Sequence, residues 1–168
     1  MKNRFTILTV VTFVMIAFVF NGSSAYGEDK AGDMMQKMME MGNNNYAKSL
    51  EHGEELYSDA SLGKTGLSCG SCHPRGGTAG GRAEMEYKGM IMKPKIPTLK
   101  GAAANFPAPR GPERKVVSLK GMNNLCIKAF LKGKPLDENS QKATDLASFV
   151  STFSKDAPLT PHGNMKYK

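Results

Sequence analysis

Cys69, Cys72 and His73 stand in the segment GLSCGSCHPRG, residues 66 to 76, at the spacing C-x-x-C-H. Two intervening residues let both thiols reach the two vinyl groups along one porphyrin edge, while the next side chain turns its imidazole beneath the iron. This is the spacing of covalent c-type haem attachment. His73 is then the proximal ligand, and what the chain can do depends on which side chain meets the other face of the metal. A disulfide between Cys69 and Cys72, or half of a zinc site, is the competing use of the pair. A second pair of zinc ligands is missing from the sequence.

The distal candidates are few. The chain has three cysteines, and haem attachment occupies two of them, so Cys126 is the odd one out. A thiol in an oxidising compartment rarely stays free unless something occupies it, and ferric iron would deprotonate this one and hold it as thiolate. A buried inert cysteine or an intermolecular disulfide are the plainer readings. Met122 offers a thioether one helical turn earlier, and Met85, Met90 and Met92 offer three more, read as pocket lining. His52 reads as solvent-facing, His162 lies in a loose tail, and Lys134 completes the set. Thiolate favours ferric over ferrous iron and lowers the reduction potential, whereas neutral thioether raises it.

The N-terminus sets the compartment. Lys2 and Arg4 precede an apolar run from Phe5 to Phe20, and the run ends in NGSSAYG, with Ser23 and Ala25 placed for a cut. Residues 1–25 are therefore expected to be a cleaved signal peptide, and the mature chain periplasmic. The run is shorter than the stretch of about 20 residues that spans a bilayer, so membrane association is expected only if the segment is retained. Roughly 140 residues remain, enough for one small domain, to which a buried porphyrin would contribute apolar surface. The formal net charge is +8, two of those charges being in the leader. Lys93, Lys95, Lys100, Arg110, Arg114, Lys115 and Lys120 are locally dense with a single aromatic residue, Phe106, among them, a pattern with too few for a nucleic-acid platform. It leaves a solvated face or a docking surface for an acidic redox partner protein or an anionic substrate.

The elements that must position these residues follow from spacing. Residues 26–45 mix charge, Gly and a methionine run and are expected to be a flexible lead-in with one or two helical turns. Met34, Met35, Met38, Met39 and Met41 are soft thioethers that would suit copper, but no His or Cys sits among them, and flexible packing is the expected role. A domain over 46–156 should begin with a helix from Tyr46 to Ser58. Residues 75–117, rich in Gly and Pro, should be an extended loop with at most short pieces of structure. Ser118 should cap a helix that ends with Gly133 just past it and carries Met122, Leu125, Cys126, Ala129 and Phe130 on one face. A last helix should start near Asn139 or Ser140 and bury Ala143, Leu146, Phe149, Val150 and Phe153. Residues 157–168 should form a loose basic tail.

Two segments also resemble known proteins. GEELYSDASLGKTGLSCGSCHP resembles the opening of class I c-type cytochromes and their di-haem relatives. NNLCIKAFLKGKPLDENSQKATDLASFV resembles the haem domains of thiosulfate dehydrogenases and of haem-bearing Sox sulfur-oxidation subunits. With the helical pattern, this implies an all-α, cytochrome c-like fold: three to four helices around one covalently bound haem c, with a long Gly/Pro-rich loop. In the second group the cysteine matching Cys126 is an axial ligand, which implies iron ligation by His73 and Cys126. The expected function is an exported mono-haem cytochrome that carries single electrons and is not itself an enzyme. The alternative is a thiosulfate-oxidising or related sulfur-oxidising enzyme, or its haem subunit. Those enzymes usually carry two haems or work with a partner haem subunit, and this chain has a single C-x-x-C-H.

Overall fold

The chain's structure is a computed structural model describing residues 25–87, 89–110 and 114–155. The leader up to residue 24 and the tail with His162 lie outside them. The first helix, α1, runs Ala25–Ser58, so the segment read as a flexible lead-in is helical. Its Met, Gln, Lys and Glu residues have straight side chains that lose little rotamer freedom in a helix. Asp33 and Lys37 add an i,i+4 pair with the acid on the N-terminal side. Contacts divide the chain between Asn45 and Tyr46 into two units. In the first, residues 30–45 are exposed throughout.

In the second unit α1 buries Ser49, Gly53 and Tyr57, one residue per turn. A single turn, α2 (Cys69–Cys72), carries the motif; α3 spans Leu119–Ala129 and α4 Gln141–Thr152. Ser118 and Ser140 cap the last two, their hydroxyls accepting from the amides of Gly121 and Ala143. A Cβ at position 53 would strike the Asp145 carbonyl and the Phe149 Cβ, so glycine is what lets α1 cross α4 at backbone contact. Around that crossing Tyr57, Ile127, Leu131, Leu146 and Val150 form the core, with Phe149 and Phe153 packed edge-to-face at its border. Ile127 and Leu146 are fully buried and each contributes about 1.5–3 kcal/mol.

The all-α expectation is corrected by the segment between α2 and α3. It holds three two-stranded antiparallel ladders: β1 (Gly81–Arg82) with β4 (Lys95–Ile96), β2 (Met85–Tyr87) with β3 (Met90–Met92), and β5 (Ala108–Arg110) with β6 (Lys115–Val117). The fold is mixed, and the cytochrome c-like frame of helices alone does not describe it. Physical causes are local. Gly89, at φ +75°, a conformation glycine adopts without strain, sits at the turn between β2 and β3. Pro94 and Pro97 flank β4, and each disfavours helix in the residue before it. Among the described residues no helix is long and apolar enough to cross a membrane.

Candidate functional site

Ser68 starts the motif turn. Its hydroxyl accepts from the Ser71 amide while the Ser71 hydroxyl accepts from the Ser68 amide, a reciprocal cap that fixes Cys69 to Cys72 in one helical turn. The turn closes on His73, whose amide donates to the Cys69 carbonyl at 2.8 Å. Tyr57, 4% exposed, reaches across from α1 and donates its hydroxyl to the His73 carbonyl at 2.6 Å. The same carbonyl accepts the Gly77 amide at 3.1 Å. Gly77 in turn accepts from the Leu99 amide, 2.8 Å, and from the Thr98 hydroxyl, 3.1 Å. This chain of bonds ties residues 97–99 to the motif.

The tie has a consequence for the imidazole. His73 Nδ1 lies 2.9 Å from the Pro97 carbonyl oxygen. A carbonyl can only accept, so Nδ1 carries the proton and Nε2 keeps its lone pair for a metal. Burial lowers the His73 pKa, the Pro97 bond opposing it, so the ring is neutral near pH 7 and able to ligate.

One cavity of about 370 Å³ gathers the chemistry. Cys69, Cys72, His73, Met122 and Cys126 all line it, and Tyr57, Ile96, Leu99, Phe106, Phe130 and Leu131 supply apolar walls. Its volume falls in the range of about 300–1,000 Å³ usual for small-molecule and cofactor sites. All three thiols are free. Burial, followed by repulsion from the other sulfurs, pushes Cys69 up to about 11 and Cys126 up to about 12, and burial raises Cys72 as well. Without a metal or a covalent partner the three stay protonated at neutral pH. Cys126 feels the charge of both Cys69 and Cys72, so the late cysteine lies within electrostatic range of the motif.

Helix α3 serves two faces. Asn124 and Ile127 are buried toward the core, whereas Met122, Asn123, Cys126 and Phe130 face the cavity. Leu125, expected on the buried face, is 40% exposed. Asn124 takes its place inward because its side chain both donates to and accepts from the Leu136 backbone at 2.8 Å, holding the loop that returns to α4. The remaining distal candidates stand elsewhere. Met90 and Met92 are exposed on the β2–β3 hairpin and do not line the cavity, and the Met85 side chain lies outside the described residues. Lys134 is exposed. His52 is on α1, its Nδ1 3.8 Å from the buried Asp145 carboxylate, which also accepts from Ser49 and Gln141.

Sequence spacing did not single out Asn123. Its Nδ2 is, among the described residues, the one buried side-chain nitrogen or oxygen with no hydrogen-bond partner, and it lines the cavity. An orphaned donor on a cavity wall lacks an acceptor that an occupant would supply. Lys95, Lys100 and Arg110 line the same cavity, and Arg110 also stacks over Phe106 at 4.9 Å. Among the described residues no three His, Cys, Asp or Glu side chains gather to hold a bare metal ion. No protein-family model matches the sequence, and no curated protein matches it significantly.

Proposed function

We propose that the chain is an exported mono-haem c-type cytochrome that carries single electrons. Cys69 and Cys72 would hold the porphyrin through thioether bonds, and His73, through Nε2, and Cys126, through its sulfur, would ligate the iron. The observation that carries this reading is the Nδ1 to Pro97 bond, because it leaves Nε2 unprotonated on a cavity shared with three free thiols. Bound iron would supply a one-electron ferric/ferrous couple, at low potential if the sixth ligand is thiolate. The chain's own residues do the rest. Tyr57 and Pro97 fix the imidazole, the apolar wall from Ile96 to Phe130 excludes water, and Asn123 offers an N–H to an acceptor in the cavity. Lys95, Lys100 and Arg110 at the cavity suit an acidic redox partner.

The test is to express the chain with its leader beside a haem-attachment system. The mature wild-type protein should gain the mass of one haem that survives denaturation. Cys69→Ala combined with Cys72→Ala should abolish that gain. A wild-type chain that matures without haem would contradict the proposal.

One observation favours a second reading, an enzyme acting on thiosulfate or a related sulfur anion: Lys95, Lys100, Arg110 and the orphaned Asn123 amide share the cavity with Cys126. Thiosulfate turnover with an electron acceptor, lost in Cys126→Ala, would favour the enzyme. Rapid electron exchange without turnover favours the carrier.

A further inference from the structure

The methionine run on α1 stands apart from the cavity residues. On a helix advancing about 100° per residue, Met34, Met38 and Met41 fall within about 60° of arc, and Met35 and Met39 lie beside them. Asp33, Gln36 and Glu40 face the other side of the same helix, while Lys30 and Lys37 border the stripe beside Met34 and Met41. From residue 30 to 45 this stripe contains no Leu, Ile, Val or Phe; its large apolar side chains are all methionines until Tyr46. Each of the five is between 57% and 63% exposed. Leu forms helix as well, packs more firmly and resists oxidation, so a face built from methionine alone calls for a role beyond plain apolar packing.

Thioether chemistry supplies a reason. Residues three and four apart on a helix are neighbours, so Met38 is within side-chain reach of Met34 below it and of Met41 above it. Three unbranched side chains can swing their sulfurs onto one ion. The small residues Ala31 and Gly42 bound the stripe, and nothing lies within 4 Å of where a Cβ at Gly42 would stand, so the sulfurs have room. A ligand set of neutral, soft sulfur selects a soft, low-charge ion and discriminates against zinc and magnesium. We propose that Met34, Met38 and Met41 form a surface site for copper(I), with Met35 and Met39 as adjacent thioethers. Nothing in this depends on what the cavity holds.

The test uses the full mature chain as purified, with any free thiols first blocked by N-ethylmaleimide. It is titrated anaerobically with copper(I) against a chromophoric copper(I) chelator. Wild type should withdraw about one equivalent, unaffected by an excess of zinc(II), because thioethers suit the softer ion. Met34→Leu, Met38→Leu and Met41→Leu together should weaken this at least tenfold while far-ultraviolet circular dichroism shows the helix unchanged. A wild-type chain that takes no copper(I) overturns the proposal and leaves the stripe as a docking face. Equal uptake by the triple variant overturns it as well, since other ligands would then hold the metal.

Discussion

Tyr57→Phe isolates one bond at the site. The ring is 4% exposed and lies 5.3 Å from the Phe149 ring and 5.9 Å from that of Phe153, contacts that phenylalanine keeps. What is lost is the hydroxyl bond to the His73 carbonyl at 2.6 Å. That carbonyl still accepts the Gly77 amide at 3.1 Å, so no buried acceptor is orphaned. The cost should therefore be that of one net hydrogen bond, about 1 kcal/mol, or roughly 4 °C in melting temperature. Tyr57→Ala removes the ring as well and should cost about 3–5 kcal/mol. Thermal melts of both variants followed by far-ultraviolet circular dichroism give the comparison. If phenylalanine proved as damaging as alanine, or if both matched wild type, Tyr57 would not be the packed anchor whose hydroxyl alone bonds the motif.

Other expectations are separable. Leu146→Ala, at a fully buried position between α1 and α3, should lose about 2–5 kcal/mol in urea titration. Asn124→Ala leaves the Leu136 amide and carbonyl without their partner and should cost about 2 kcal/mol, measured the same way. Asp59 is held below its usual 3.8 by the Ser61 hydroxyl and amide, so its contribution is present above that value and fades as pH falls below it. The melting-temperature gap between wild type and Asp59→Ala should accordingly narrow on acidification. Cys126→Met should raise the reduction potential of the haem-loaded protein, read by spectroelectrochemical titration.

Both late helices and their serine caps were legible because each rests on local chemistry: a hydroxyl before an apolar run and a 3.6-residue period. What was not legible depends on distant partners. The β1–β4 ladder pairs Gly81 with Ile96, and two-residue strands carry no alternation to read. The β2–β3 hairpin had a signal, a glycine at the turn between apolar residues, that was subsumed in the loop. On α3 periodicity favoured Leu125 over Asn124, because it cannot see that an amide will satisfy the backbone of Leu136, twelve residues away. The early part of α1 was misjudged because its glycines and asparagines outweighed the propensity of its Met, Lys and Glu residues. Asp145 was missed for the reason Asn124 was: a buried carboxylate is acceptable only where Ser49 and Gln141 meet it.

The most direct test is low-temperature electron paramagnetic resonance of the oxidised, purified wild-type protein beside Cys126→Met. Wild type should show a low-spin ferric signal with the narrow g spread of thiolate opposite imidazole, and the variant should lose it. A spectrum that is the same in both proteins would mean that the sulfur of Cys126 does not bind the iron.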